Sequence, residues 1–138
     1  MEVGPMSDEG SYGSVRYVVR DVQAAVDFYT THLGFTVRSH PAPPFADITR
    51  GALRVLLSGP ASSGARATPA DVDGPGRNRI HLLVDDLAAE VERLSAAGVP
   101  LLTDVVSGPG GQQVLLADPA GNLVELFEPA VAPARIGP

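Results

Sequence analysis

The chain has 138 residues, enough for one ordinary domain, and its content of 44% hydrophobic and 19% charged residues is typical of a globular protein. The net charge of −6 argues against nucleic-acid binding, because that binding needs Lys and Arg side chains to neutralise phosphates. The absence of cysteine excludes disulfides, thiolate metal ligands and a cysteine nucleophile.

The first segment of the chain is acidic and polar, and we predict a flexible tail over residues 1–12. It has no cationic start and no apolar core, so it does not resemble a secretory signal. No apolar run in the chain approaches the roughly 20 residues that span a bilayer. We therefore expect a cytoplasmic protein with neither membrane nor nucleic acid as partner.

The next segment, about residues 13–59, is predicted to form a strand, a helix and three shorter strands, and we call it unit 1. The run Ser14–Arg20 has β-strand character, and Asp21 is placed to cap the helix that follows. The apolar face of this helix is predicted from residues at helical spacing, namely Val22, Val26, Tyr29 and Leu33. Gly34 is suited to end it. The later strands are predicted near Phe35–Arg38, Phe45–Thr49 and Leu53–Ser58.

Residues of about 60–77 are rich in Gly, Pro, Ser and Ala and have no hydrophobic period. This composition favours a mobile linker that only connects two structured parts. A lid over a ligand site is the less favoured alternative, since long loops are sometimes functional.

A second unit, unit 2, follows at about residues 78–130. Asp86 is the predicted helix cap, Leu87, Val91 and Leu94 form the apolar stripe, and Gly98 ends the helix. Strands are predicted near Val99–Val106, Gln112–Ala117 and Leu123–Glu128, with a turn at 118–122 between the last two. Residues 131–138 are predicted to be a C-terminal tail.

The two units are copies of one pattern. When Asp21 is aligned with Asp86, a strand, a cap and a glycine-terminated helix coincide, and RGALRVLLSGP around Gly51 matches AGNLVELFEP around Gly121. Two correspondences in the same order indicate an internal repeat of the form βαβββ. The fold class predicted is therefore α+β, with two tandem units.

These units and the closing sequence DPAGNLVELFEP resemble the vicinal oxygen chelate superfamily, which includes glyoxalase I, extradiol dioxygenases and bleomycin-binding resistance proteins. The resemblance covers about Ser14 to Pro129. It implies one domain over residues 13–130, in which the repeats form a curved mixed sheet around a small-molecule pocket. It also implies a homodimer, which is consistent with the need to protect sheet edges.

Metal-dependent members of that superfamily hold a divalent ion with four ligands from equivalent places in the two repeats. Here the matching positions are Ser14, Val55, Arg79 and Glu125. Of these only Glu125 is an ordinary ligand, because valine cannot coordinate and a guanidinium repels a cation. We therefore expect no metal site and no other cofactor.

A shifted alignment of the two units does not restore the set of four metal ligands. His81 lies two residues beyond Arg79 on the same strand face, but its counterpart in unit 1 is Arg16. The other histidines, His32 and His40, lie outside the predicted inner face.

Strand alternation predicts an inner face that carries the candidate ligand-binding residues, which are Arg16, Arg79, His81, Glu125 and Phe127. On the closing strand of unit 1 it assigns Leu53, Val55 and Leu57 to the same face.

Each polar candidate also has a structural interpretation. For Arg79 an ion pair with Glu125 is favoured over direct ligand contact, because a buried carboxylate needs a compensating partner. For His81 a satisfied polar group and a ligand contact are equally supported, and imidazole also suits acid–base work. Arg16 can extend to solvent and has the weakest claim. Gln112 or Gln113 can also face the pocket.

Two functional hypotheses follow from these residues. The first is a metal-free protein that binds and sequesters a small molecule, as the bleomycin-binding branch does. The second is an enzyme of the lyase, isomerase or dioxygenase type, which either has an atypical site around His81 and Glu125 or binds a metal at positions that the alignment misreads. In such an enzyme Arg16 and Arg79 would hold a carboxylate or phosphate. The vacant ligand positions favour the first hypothesis.

Overall fold

A computed structural model describes residues 13–69, 74–76 and 78–131. The chain divides into two compact units, Met1–Pro75 and Gly76–Pro138. The predicted N-terminal tail and residues 132–138 of the predicted C-terminal tail lie outside the described residues. Within the described part, no helix is long and apolar enough to cross a membrane.

Unit 1 contains a four-stranded mixed sheet. Its elements in chain order are β1 (Gly13–Val18), α1 (Val22–His32), β2 (Thr36–Ala42), β3 (Phe45–Arg50), β4 (Leu53–Ser58) and α2 (Ser63–Arg66). The spatial order of the strands is β1-β4-β3-β2, in which β1 and β4 are parallel and the other pairs antiparallel. Helix α1 contacts β2, β3 and β4, so one face of the sheet is covered by this helix.

Helix α1 forms where its apolar stripe predicts it. The Asp21 carboxylate accepts a hydrogen bond from the Ala24 amide at 3.0 Å and satisfies one of the donors that a helix leaves unpaired at its start. Gly34 follows the helix with φ +73°, a left-handed conformation that favours glycine. The predicted stripe is buried in full, with Val22, Val26, Tyr29 and Leu33.

Unit 2 repeats this topology. Its elements are β5 (Arg79–Leu83), α3 (Leu87–Ala96), β6 (Val106–Gly108), β7 (Gly111–Ala117) and β8 (Leu123–Pro129). The strand order is β5-β8-β7-β6, again with one parallel pair, β5 and β8. Asp86 caps α3 by accepting from the Ala89 amide at 3.1 Å, and Leu87 and Leu94 of the predicted stripe are fully buried. The α+β class and the tandem βαβββ repeat are confirmed.

The connector differs from its prediction over residues 60–69. Ser62 accepts a hydrogen bond from the Ala65 amide at 3.2 Å and thereby caps the short helix α2. This helix contacts β1 and β4. A mobile linker is therefore wrong for this stretch, because a capping serine supplies a local signal that the Gly- and Ala-rich composition hides. The rest of the predicted linker lies partly outside the described residues.

The strand predicted at Val99–Val106 is wrong in position, because β6 begins only at the last of these residues, Val106, and ends at Gly108. Before it, Leu101 forms an isolated bridge with Leu116. The Thr103 hydroxyl then accepts a hydrogen bond from the Leu115 amide at 3.1 Å. A side chain that occupies a backbone donor competes with the ladder, which explains why the predicted strand Val99–Val106 does not form along its full length.

Candidate functional site

The face of the unit 2 sheet opposite α3 carries most of the predicted ligand-binding residues. In the parallel pair β5 and β8, Arg79 stands opposite Leu123, His81 opposite Glu125, and Leu83 opposite Phe127. The alternate residues of both strands are buried, so they form the apolar core of the unit: Ile80, Leu82, Val124 and Leu126. We call the surface formed by Arg79, His81, Glu125 and Phe127 the His81 face.

Glu125 is the polar centre of the His81 face. The residue is only 7% exposed, and one carboxylate oxygen, Oε1, accepts a hydrogen bond from Arg79 Nε at 2.9 Å. The other oxygen, Oε2, lies 3.5 Å from His81 Nε2. A buried carboxylate is costly unless it is paired, and the guanidinium supplies that pairing. The ion pair predicted between Arg79 and Glu125 is therefore confirmed.

The same face also offers aromatic and apolar surface. The rings of His81 and Phe127 lie 5.1 Å apart at an interplanar angle of 36°, and half of the His81 side chain is exposed. Leu83 is 48% exposed on the same face. Gln113 stands opposite Phe127, whereas Gln112 is directed to Ser107, so the structure assigns Gln113 rather than Gln112 to this face. Cation, imidazole, aromatic ring and apolar side chain thus lie on one surface.

In unit 1 the predicted register of β4 is wrong by one residue. Val55 and Leu57 are fully buried and stand opposite Val15 and Tyr17, on the face that α1 covers. The opposite face of β4 therefore carries Arg54, Leu56 and Ser58. Leu53 is likewise on the helix-covered side, because it alternates with Arg54.

The error arises because the repeat alignment matches the turn at Gly51 with the turn at Gly121. In unit 1 the closing strand begins opposite Gly13, eight positions before the capping Asp21, but in unit 2 it begins opposite Arg79, seven positions before Asp86. The two-residue turn at 51–52 and the five-residue turn at 118–122 thus lead into different registers. A one-residue shift moves every side chain of a strand to the other face.

Arg16 lies on the unit 1 face opposite α1, as predicted, and it is an exposed residue whose guanidinium is also bound to the protein. Its NH1 donates to the hydroxyl of Ser58 at 2.7 Å, and Ser58 is fully buried. A Cβ atom at Gly64 of α2 would collide with the Arg16 guanidinium. Arg16 is therefore held between β4 and α2.

On the same sheet face as Arg16, two strands away, unit 1 contains a buried carboxylate that sequence reasoning missed. Asp47 on β3 is 2% exposed and accepts from Arg54 Nε at 3.1 Å and from Arg38 NH1 at 3.4 Å. Arg38 occupies a register shift between β2 and β3, which turns its side chain toward the carboxylate. One feature of the sequence could have predicted it. Asp47 is a charged residue in the middle of the strand FADITR, between the buried apolar residues Ala46 and Ile48.

The residues at the expected metal positions do not fit a divalent ion. Ser14 is exposed, Val55 packs under α1, and Arg79 places a fixed cation on Glu125. Among the residues that the structure describes, no three His, Asp or Glu side chains come together in an arrangement that could hold a metal.

His32 and His40 do not join either face described above. The ring of His32 lies against Phe28 on α1, at a centroid distance of 5.6 Å. His40 is exposed on β2.

A family model described as the Glyoxalase/Bleomycin resistance protein/Dioxygenase superfamily matches residues 11–126. That range covers both units and includes four of the five predicted ligand-binding residues together with Asp47. Among curated proteins, no sequence matches the chain significantly.

Solved structures with the same fold come from several bacteria. A lactoylglutathione lyase from Agrobacterium tumefaciens is 25% identical, with a TM-score of 0.68 over 83% of this chain and 90% of that one. A glyoxalase-related enzyme from Fulvimarina pelagi is 22% identical, with a TM-score of 0.72 over 88% and 89%. An antibiotic-binding protein from a Streptomyces species is 23% identical, with a TM-score of 0.67 over 86% and 95%.

Proposed function

The chain belongs to the Glyoxalase/Bleomycin resistance protein/Dioxygenase superfamily, and we propose that it binds a small organic molecule on the His81 face without a metal ion. The observation that carries this proposal is the contact of 2.9 Å between Arg79 Nε and Glu125 Oε1. A guanidinium stays protonated, so it neutralises the carboxylate that a divalent ion would otherwise need. The Arg79–Glu125 pair therefore does not support the metal-dependent chemistry that many members of the superfamily share.

The remaining groups on the face suit a flat organic ligand. The His81 and Phe127 rings form an aromatic surface, and the exposed part of Leu83 extends it with apolar area. Small-molecule sites are mostly apolar, with a few polar groups that fix orientation, and Arg79 and His81 supply such groups here. Arg16, the fifth predicted ligand-binding residue, belongs to the other unit.

Sequestration of a drug-like compound is the role that we propose for this binding. A Streptomyces protein with the same fold is an antibiotic-binding protein, so the fold can serve this purpose. Fold alone does not carry a function from one protein to another. The proposal therefore depends on the residues of the His81 face and not on that likeness.

Catalysis of the lyase, isomerase or dioxygenase type is the second candidate, and one contact favours a proton-transfer variant of it. His81 Nε2 lies 3.5 Å from Glu125 Oε2, and the imidazole is half exposed while the carboxylate is buried. An exposed imidazole beside a buried carboxylate is suited to accept or donate a proton at a bound substrate. Glu125 and Arg79 would then position the ring.

The first experiment measures metal stoichiometry by mass spectrometry, after incubation with Fe, Mn, Ni, Zn and Co and subsequent desalting. We expect that none of these metal ions remains bound at a stoichiometry of one per chain. A compound library is then screened by thermal shift with and without a chelator, and any compound that binds is recovered and analysed for chemical change. An unchanged compound supports sequestration, whereas a product supports the enzyme. One tightly held ion per chain would refute the metal-free proposal.

Variants locate the binding surface. His81→Ala is expected to weaken binding of such a compound roughly tenfold or more, because it removes one ring of the aromatic surface. His40→Ala is the matched control, since His40 is an exposed strand histidine of the other unit. Equal affinities in the two variants would place the ligand elsewhere.

We also propose that the protein is a homodimer. Each sheet ends in edge strands, and exposed edges favour pairing or association with another chain. Near the β6 edge, Leu102, Val105 and Val106 are 53%, 42% and 53% exposed. Light scattering coupled to gel filtration is expected to give twice the mass of 14.3 kDa. A mass of one chain at micromolar concentration would contradict this proposal.

A further inference from the structure

The His81 face carries a row of side chains that crosses all four strands of unit 2. Val106 on β6 stands opposite Gln113 on β7. Phe127 on β8 stands opposite Gln113 on one side and opposite Leu83 on the other. Residues directly opposite one another in a sheet share a face, so these four side chains form one line, which we call the Phe127 row. Neighbouring strands lie about 4.8 Å apart, so the row is about 14 Å long.

The Phe127 row is apolar and open to solvent at both ends. Leu83 is 48% exposed and Val106 is 53% exposed. Between them the Phe127 ring is held in place, since it lies 5.1 Å from the ring of His81 and a Cβ atom at Gly111 would lie 2.9 Å from its Cζ atom. An exposed apolar line with a fixed aromatic ring suits a flat apolar body that is longer than a single ring.

Charge on the His81 face is balanced. The strands of unit 2 contain three charged residues, which are Arg79, Glu125 and Glu128. Glu128 belongs to the other face of the sheet, where its Oε1 accepts from the Leu87 amide at 2.8 Å at the start of α3. Arg79 and Glu125 contact each other at 2.9 Å. With His81 neutral, the strands thus give this face no net charge, although the whole chain carries −6.

We propose that the ligand of the His81 face is an uncharged molecule with a flat, multi-ring apolar body and a carbonyl oxygen. The body lies along the Phe127 row. The oxygen accepts a hydrogen bond from Arg79, whose guanidinium has further N–H groups besides the Nε that contacts Glu125. This inference rests on the proposed function, because it names the class of compound that the same face binds.

The Arg79–Glu125 pair disfavours a charged ligand of either sign. An anion that draws Arg79 away leaves the Glu125 carboxylate, at 7% exposure, without the cation that compensates its burial. A cation has to approach the guanidinium, which is fixed beside that carboxylate and repels it. A carbonyl oxygen can accept from Arg79 without disturbing the pair. Charge, and not only apolar area, therefore selects the ligand.

The ligand class is tested on the full chain by NMR with three probes that share one ring system. Naphthamide is neutral, naphthoate is an anion, and naphthylmethylammonium is a cation. We expect naphthamide to bind about fivefold or more tightly than either charged probe, with changes in the backbone amide signals of His81, Gln113 and Phe127.

The outcomes separate this inference from the proposed function. If a charged probe changes the same signals and binds as tightly as naphthamide, the ligand class is wrong while binding on the His81 face stands. Absence of naphthamide binding overturns the ligand class alone, because the compound library tests the proposed function separately. Changes that every probe causes only outside the strands of unit 2 would count against both.

Placement along the Phe127 row is tested with a shorter probe and a pair of valine variants. Benzamide has one ring and is expected to bind about tenfold more weakly than naphthamide. Val106→Ala removes apolar contact at one end of the row and is expected to weaken naphthamide binding about threefold. Val37→Ala is the matched control, since Val37 is 42% exposed on the edge strand β2 and stands opposite the buried Ile48. Equal naphthamide affinities in the two variants, or equal affinities for the two amides, would contradict this placement.

Glu125→Gln gives the most specific result, because it is expected to change selectivity rather than only affinity. If the carboxylate holds Arg79 away from anions, its removal raises the affinity for naphthoate relative to naphthamide by roughly fivefold or more. Glu92→Gln removes the same charge from an exposed position on α3 and is expected to leave this ratio within about twofold. An unchanged ratio in folded Glu125→Gln would refute the role of the pair, and the wild-type titrations decide the question if that variant does not fold.

Discussion

Replacement of Arg79 by alanine tests how strongly the Arg79–Glu125 pair stabilises unit 2. The variant removes the cation that contacts the buried Glu125 carboxylate and leaves His81 Nε2 at 3.5 Å from its other oxygen. Breaking a fully buried ion pair costs about 3–5 kcal/mol, because one charge stays buried without compensation. The Arg79 side chain is 38% exposed, so water screens the pair, and we expect a loss of about 1–2 kcal/mol in the free energy of unfolding.

The matched control is Arg93→Ala on α3. Arg93 NH2 lies 2.6 Å from Glu90 Oε1, which is shorter than the 2.9 Å contact of Arg79, but both partners are substantially exposed. Exposed pairs at this helical spacing contribute about 0.2–0.5 kcal/mol. Burial, and not the distance, therefore decides which arginine matters for stability.

Urea unfolding followed by far-ultraviolet circular dichroism measures both losses, since the chain has no tryptophan to report by fluorescence. Glu125→Gln completes a double-mutant cycle with Arg79→Ala, for which we expect a coupling energy of about 1 kcal/mol. A loss in Arg79→Ala no larger than that in Arg93→Ala, or a coupling energy near zero, would refute the reasoning. Glu125 would then be stabilised by something other than the guanidinium.

Two further predictions concern unit 1. Leu57→Ala is expected to cost about 2–4 kcal/mol in the free energy of unfolding, because Leu57 is fully buried under α1. Leu56→Ala, on the other face, is expected to cost less than half as much, and similar urea midpoints would contradict the register described here. Gly64→Ala is expected to displace the Arg16 guanidinium and to cost about 1 kcal/mol in the free energy of unfolding, because the hydrogen bond from Arg16 NH1 to the buried Ser58 hydroxyl is weakened. Gly74→Ala meets no atom within 4 Å and is its control, so equal losses of stability in both variants would refute that contact.

Local signals predicted most of the fold. Asp21 and Asp86 occupy the cap positions of α1 and α3, and the apolar stripes that follow them are buried except at Val91, which is half-buried. Each of these features depends on residues a few positions apart, where helical periodicity and capping chemistry act directly. The repeat then extended a local prediction to the whole chain, because the same order of elements recurs.

The candidate site was predictable only in unit 2. There the assignment of Glu125 to the face of His81 depended on strand alternation, and the ion pair with Arg79 followed from the cost of a buried carboxylate. In unit 1 the face depends on which residue of β4 stands opposite β1, and the turn between β3 and β4 sets that register. Alternation predicts that successive residues of a strand point to opposite faces, but it does not predict which face a given residue takes. Val55 was therefore assigned to the wrong face, and Asp47 was missed.

The two faces can be compared row by row, because both units have the same strand order. The central row of unit 1 is Arg16, Leu56 and Asp47, and that of unit 2 is His81, Glu125 and Leu115. Each row has one carboxylate, but it lies on β3 in unit 1 and on the last strand in unit 2.

In both units a guanidinium from the neighbouring row contacts that carboxylate, supplied by Arg54 in one and Arg79 in the other. The repeats have thus diverged in the position of the acid while retaining an internal cation beside it. Since a buried carboxylate requires a cation, and here an arginine of the same unit provides it in each case, neither carboxylate depends on a metal for its burial. This shared arrangement is consistent with the metal-free binding that we propose for the His81 face.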